Sequence, residues 1–144
     1  ENNKFNKKYN LPDHYDLIEK SNKKYPFKLV TAPAHNFLNS SFTELETSQK
    51  KEKKPTIKIH PKDLKALKCK SEEIVLIGNK RGKLRIHTEE FFGLLPGTTI
   101  VEGIWPNEFF LDGLGINALV GADSPEPAGG AVFHDVAIWI KKLS

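Results

Sequence analysis

Six short runs of apolar and β-branched residues, separated by turn-forming stretches, constrain this chain more than any other feature. They are residues 27–31, 56–60, 74–77, 83–87, 98–102 and 136–140. Thr56-Ile57-Lys58-Ile59-His60 and Lys83-Leu84-Arg85-Ile86-His87 alternate apolar and polar residues, and Val136, Ile138 and Ile140 fall on one face. A period of two sends alternate side chains to opposite faces of a strand, so each run pairs one core face with one outer face. Ile74 to Ile77 is apolar throughout and reads as a continuous apolar strand. Gly78-Asn79-Lys80-Arg81-Gly82 reads as a hairpin tip and Pro96-Gly97 as a turn. Pro61 opens a short helix through Lys68, with Leu64 and Leu67 facing the core. Short strands, few helices and many turns predict a mainly β fold, a barrel or sandwich with one or two short helices.

The 144 residues suffice for one domain with a proper core. Residues 1–24 are polar and rich in Asn and Lys. They read as a linker or tail, docked through Tyr9, Leu11 and Tyr15, ahead of a domain spanning 25–144. Residues 43–54, rich in Glu, Lys, Ser and Thr, read as a mobile loop. The single cysteine, Cys69, excludes a disulfide framework and any four-cysteine metal or cluster site built by this chain. No apolar run approaches the ~18 residues of a membrane span. No secretory segment is visible, which predicts a cytoplasmic location while leaving a periplasmic parent open. The sequence has no methionine, even at position 1, so it reads as a piece of something larger. Charge is uneven. Residues 1–90 carry twenty Lys/Arg against twelve Asp/Glu, and residues 91–144 carry two against six. A basic half suits an anionic partner such as nucleic acid or an acidic protein. The lysines cluster in loop-like runs, where solvated charge is ordinary.

Motifs that carry chemistry are sparse. His14, His35, His60, His87 and His134 show no helical ligand spacing. Gly113-Leu114-Gly115 lacks the third glycine of a dinucleotide fingerprint. Ser40-Ser41 lies near His35, but nothing points to a base oriented by a third group. Asn39, Ser40 and Ser41 read more simply as capping residues of a turn. Trp105 and Trp139 read as packing residues, and Cys69 as a small apolar one. What remains is a set of strand-end loops: Thr31–Ser41, Gly103–Asn117 and Gly129–His134. Loops that share a barrel rim can converge on one ligand. Thr31, His35, Asn36 and Asn117 offer donors and acceptors that suit a polar heterocycle and phosphates better than a lipid.

One set of segments is similar, in order, to a known family. Tyr25–Thr31 followed by Ala34–Ser41 resembles the first motif of the molybdopterin dinucleotide-binding domain. That domain closes the molybdenum and tungsten oxidoreductases of the dimethyl sulfoxide reductase and formate dehydrogenase superfamily. Pro55–Leu64 is similar to its strand–Pro-x-Asp–helix unit, and Val75–Gly82 to its hairpin. Leu95-Pro96-Gly97, Gly103-Ile104-Trp105, Gly115–Leu119 and Ala131–Asp135 follow in the family's order. The resemblance covers residues 25–144.

The resemblance implies a double-psi β-barrel that covers one face of a molybdopterin guanine dinucleotide. The molybdenum or tungsten would be carried by that cofactor, with its protein ligand outside this chain. It implies that Thr31, Ala32, His35 and Asn36 line the pterin–phosphate region. Asn117 would hydrogen-bond the pterin, and Phe133 and His134 would stand near the cofactor. His134 replaces a lysine frequent in the family, which makes the charge there depend on pH. The family also carries glycines in the turn after its helix. Lys68-Cys69-Lys70-Ser71-Glu72-Glu73 has none, so a positive φ there would fall on Ser71 or Glu72. The function implied is that of a C-terminal domain that holds the cofactor for a larger oxidoreductase. It would do no catalysis alone, and its partners would be the preceding domains rather than nucleic acid or membrane. The alternative from charge is a free-standing basic barrel that binds nucleic acid or an acidic protein, which a steep salt dependence would reveal.

Overall fold

The computed structural model describes residues 19–122, 132–133 and 136–143. Tyr9, Leu11, Tyr15 and His134 lie outside the described residues. The strands are β1 (Phe27–Ala32), β2 (Thr56–Ile59), β3 (Ile74–Gly78), β4 (Lys83–Glu90), β5 (Thr98–Glu102) and β6 (Val136–Lys142). They close into one barrel in the order β1-β5-β2-β4-β3-β6. The helices are α1 (Glu46–Glu52) and α2 (Pro61–Ala66), and single 3₁₀ turns lie at Asn107–Phe109 and Ile116–Leu119. The mainly β reading therefore holds, as a closed barrel with few short helices. No helix among the described residues is long and apolar enough to cross a membrane.

The alternating runs fill the barrel. Leu29, Ile57, Ile59, Val75, Ile77, Leu84, Ile86, Val101 and Ile138 are all buried, and they come from all six strands. Two polar side chains sit in the same interior. Thr99 Oγ1 donates to the Lys28 carbonyl (3.0 Å), and Thr88 Oγ1 reaches the Lys70 carbonyl (2.7 Å). Each buried hydroxyl thus has the partner it needs in a dry interior.

Strand pairing decides which loops meet. β1 and β5 run parallel, with Thr31 opposite Val101 and Ala32 opposite Glu102, so both stop at the same end of the barrel. β6 runs antiparallel to β1, with Val136 opposite Leu29, so the segment before β6 arrives at that end. β2 is antiparallel to β5 and β3 to β6, which adds the end of the α1 segment and the β3–β4 hairpin tip. The opposite end carries α2, the turn before β3, and the loop from β4 to β5.

Two local features differ from the sequence reading. Residues 46–52 form a helix although the segment lacks an apolar stripe and buries no residue. Side-chain bonds hold it instead. Gln49 Nε2 donates to the Thr43 carbonyl (2.7 Å), Lys50 pairs with Glu46 (3.1 Å), and Glu52 binds Asn36. The glycine-free turn after α2 places two non-glycine residues at positive φ, Lys68 (56°) and Glu72 (69°). The Lys68 position is where a helix commonly ends with glycine, and the Cys69 N–H closes that end on the Leu64 carbonyl (2.9 Å). Glu72 is fixed through its N–H to the Thr88 carbonyl (2.8 Å) and its carboxylate to Lys54 (2.8 Å).

Candidate functional site

At the end where β1 and β5 stop, the loops enclose an open cavity of ≈ 540 Å³. That volume lies within the range of small-molecule sites. One wall is Thr31-Ala32-Pro33-Ala34 with Asn39. Gly103-Ile104 comes from the adjacent strand end, Ile116-Asn117 from the 3₁₀ turn, and Phe133 from the segment before β6. Four of the residues singled out from sequence, Thr31, Ala32, Asn117 and Phe133, therefore stand around one space. They are up to 102 positions apart in the chain, and the antiparallel β1–β6 pairing brings the Phe133 segment to the end where β1 stops.

The wall is built from the backbone outward. The Gly103 N–H donates to the Ala32 carbonyl (2.9 Å), extending the β1–β5 ladder by one bond. Gly103 has φ +82°, and a Cβ there would stand 3.1 Å from Ala34 Cβ and 3.2 Å from the Phe37 ring. Only glycine lets the two loops approach this closely in that conformation. Beneath them Phe37 and Trp105 are buried and pack edge to face, centroids 4.7 Å apart and 84° between planes. Thr31 Oγ1 contacts the Phe133 carbonyl at 3.4 Å, tying the β1 end to the segment before β6.

The turn that carries Asn117 is fixed at both ends. Asn107 Oδ1 accepts from the Gly115 N–H (2.9 Å), and Asn79 Nδ2 donates to the Leu119 carbonyl (2.7 Å). The side-chain amides of Asn39 and Asn117 have no hydrogen-bond partner among the described residues, and both are exposed at the cavity. No Lys or Arg lines the cavity among the described residues.

Two predicted residues stand elsewhere on the same loop. His35 is exposed and outside the lining. Asn36 turns away from the cavity. Its backbone N–H (2.6 Å) and Nδ2 (2.7 Å) both donate to Glu52 Oε1 on α1. Conversely, the lining includes Pro33, Ala34, Asn39, Gly103, Ile104 and Ile116, which were not selected from sequence. A glycine directly after a β-branched run was the available signal for Gly103. Asn39 was read as a cap, and it sits at φ +53° in the tight turn closed by the Leu38–Ser41 bridge.

Nearby carboxylates are held below their ordinary range. Burial raises the pKa of Glu19, but hydrogen bonds from Arg81 and the Ala137 N–H, with the charges of Arg81 and Lys80, outweigh it. Burial likewise opposes the shift at Asp112, and the Arg85 backbone and guanidinium bonds prevail. Both groups therefore stay ionised as anchors.

This donor set suits a flat heterocycle on a diphosphate. Small side chains at Ala32 and Ala34 leave the backbone accessible, neutral amides match an amide-edged ring, and Ile104 and Phe133 supply apolar faces. Gly103 allows the close approach of the two loops that form this wall, and the exposed amides of Asn39 and Asn117 beside it are the donors and acceptors such a ring would need.

Comparison with known proteins agrees. Residues 27–137 match the model of the Molydopterin dinucleotide binding domain. The chain is 32% identical over 133 residues to the probable oxidoreductase YoaE of Bacillus subtilis (strain 168), covering 92% of this chain and 19% of that protein. Among solved structures, acetylene hydratase from Pelobacter acetylenicus matches with a TM-score of 0.67 at 20% identity, over 84% of this chain and 19% of that one. The last likeness is one of fold. The chain spans 19% of the length of both relatives, so it corresponds to one domain of larger proteins. The alternative of a free-standing basic barrel for nucleic acid finds no support in these matches. With the family model running from β1 into β6, the chain belongs to the Molydopterin dinucleotide binding domain family.

Proposed function

We propose that this domain holds the pterin and diphosphate of a molybdopterin guanine dinucleotide in the cavity at the β1–β5 end. On this reading it serves a larger oxidoreductase whose preceding domains cover the cofactor's other side. Thr31, Ala32 and Ala34 offer backbone groups to the diphosphate arm. Asn117, with Asn39 opposite, hydrogen-bonds the ring. Phe133 packs at its edge, His35 stands exposed outside the lining, and Asn36 shapes the loop through Glu52 rather than by contact. The single observation that carries this reading is the meeting of three distant strand-end segments at one cavity inside the matched span.

When bound, the cofactor supplies the metal centre. This chain contributes orientation and hydrogen bonding. One relative is named an oxidoreductase and one structural neighbour a hydratase. A domain shared by both is consistent with a holding role, with the reaction determined by other domains.

Asn117→Ala in the full-length polypeptide tests the reading. The released pterin, measured by fluorescence after oxidation, is expected to fall several-fold per mole of protein while the melting temperature stays unchanged. Full cofactor retention would contradict the assignment.

A further inference from the structure

The hairpin tip between β3 and β4 is not part of the cavity, yet it holds the turn that carries Asn117. Its Asn79 Oδ1 accepts from the Arg81 N–H (2.8 Å), and the Asn79 N–H donates to the Gly82 carbonyl (2.9 Å), so the tip is internally fixed. From that frame Asn79 Nδ2 (2.7 Å) and Arg81 Nη1 (3.4 Å) both donate to the Leu119 carbonyl. Arg81 also lies against the next stretch of backbone, where a Cβ on Gly121 would stand 2.7 Å from Nη2. The Val120 N–H returns to the Asn117 carbonyl (3.1 Å), which links the held residue directly to Asn117.

The other side of Arg81 faces the chain's approach to the barrel. Arg81 Nη2 donates to Glu19 Oε1, and Glu19 Oε2 accepts from the Ala137 N–H of β6 (3.0 Å). Both side chains of the pair are largely screened from solvent, at 20% and 31% exposure, so water competes less with the pair than at an open surface. One carboxylate thus joins the segment preceding β1, the hairpin tip and β6.

We propose that Arg81 is a positioning residue for the Asn117 wall of the cavity, and that Glu19 links that wall to the segment through which the chain enters the barrel. The inference rests on the cavity being the cofactor site. Its consequence is that a change in the approach to β1 alters how the ring is gripped, through Glu19, Arg81 and Leu119, without any contact to the ring. Supporting bonds of this kind fix the residues that touch a ligand.

The test uses the full-length, cofactor-loaded polypeptide with Arg81→Ala, Glu19→Gln and, as a core control, Ile86→Val. Hydrogen exchange is read at the Ala118 and Val120 amides against Ile57 and Ile59, together with pterin content. Arg81→Ala is expected to speed exchange at Ala118 and Val120 by about tenfold, with Ile57 and Ile59 unchanged. Cofactor content is expected to fall about threefold or more. Glu19→Gln moves the same readouts less, and its effect disappears in the Arg81→Ala background. Ile86→Val lowers the melting temperature and leaves both readouts at the wild-type level. Wild-type exchange at Ala118 and Val120 in Arg81→Ala, or equal acceleration at all four amides, overturns the inference. Asn117→Ala in the same series separates the readings. Cofactor lost there but kept in Arg81→Ala overturns this inference alone. Cofactor kept in Asn117→Ala overturns the cavity assignment and the inference with it.

Discussion

At the end of the barrel that carries α2, the polar groups of the loops bond to one another. The Gly97 N–H donates to Asp63 Oδ2 (2.7 Å), the Glu90 N–H to Ser71 Oγ (3.1 Å), and the Phe91 N–H to the Ile59 carbonyl (3.0 Å). Lys142 Nζ reaches back to the Lys68 carbonyl (2.7 Å) and closes the strand end over the turn after α2. At the cavity end the scaffold is just as well bonded, through Asn79, Asn107 and Glu52, but the amides of Asn39 and Asn117 are left facing open space. The same six strands therefore end in a sealed cap on one side and a presented set of donors and acceptors on the other. The difference teaches that function here lies in which polar groups are presented to open space: among the described residues every buried side-chain N or O has a partner, whereas the exposed amides of Asn39 and Asn117 stand at the cavity without one.

Substitutions at the two ends sharpen this contrast. Gly103→Ala at the cavity end is expected to cost the most, about 2–3 kcal/mol, because positive φ and a crowded Cβ act together. Urea unfolding measures it, and cofactor content should fall with it. Asp63→Ala at the sealed end removes the bond to the Gly97 N–H, a loss of about 1–2 kcal/mol, with cofactor content unchanged. Gly97→Ala has the same positive φ (+84°) as its counterpart but nothing within 4 Å of the new Cβ. It is expected to cost about 1 kcal/mol, again with the cofactor retained. Glu72→Gly relieves a positive φ and gives up an exposed pair with Lys54, so the net change should be a gain of under about 1 kcal/mol.

Acid should loosen both ends. At the cavity end Glu19 and Asp112 have lowered pKa values, as described above. At the other end Glu72 is lowered by its Lys54 hydrogen bond and charge, and Glu73 by the Lys70 N–H and by Lys142. A carboxylate whose folded pKa is depressed contributes stability that is fully present above its unfolded value. That contribution is lost as pH falls through the folded value. Unfolding midpoints should therefore hold above the ordinary glutamate value of 4.5 and drop below it. Glu19→Gln should flatten part of that drop. A midpoint that rises on acidification would contradict the assignment of these groups.

Much of the barrel was legible because alternation in residues 56–60 and 83–87 has one structural reading when turns flank it. The continuous run at 74–77 needed only its length and flanks. Helix α1 was not legible. Its composition matches a solvated loop, and what holds it, Gln49 to Thr43 and Glu52 to Asn36, is side-chain bonding that no periodicity displays. The strained turn after α2 was partly legible, since the absence of glycine marked it and Glu72 bears the positive φ, with Lys68 as a second site. At the candidate site the loops could be named because strand ends are where a barrel presents side chains. The direction of each side chain could not. Asn36 looks like Asn117 in sequence, yet a glutamate 16 positions away claims its amide. The hold of Arg81 on Leu119, across 38 positions, follows from which strands are neighbours in the closed barrel, and the linear order does not state that.

The most direct measurement is pterin content per mole of full-length polypeptide for Asn117→Ala at the cavity end beside Asp63→Ala at the sealed end. A cofactor held between the cavity loops predicts a several-fold loss in the first and the wild-type amount in the second, even though the second is the less stable protein. Equal contents in the two variants would contradict it.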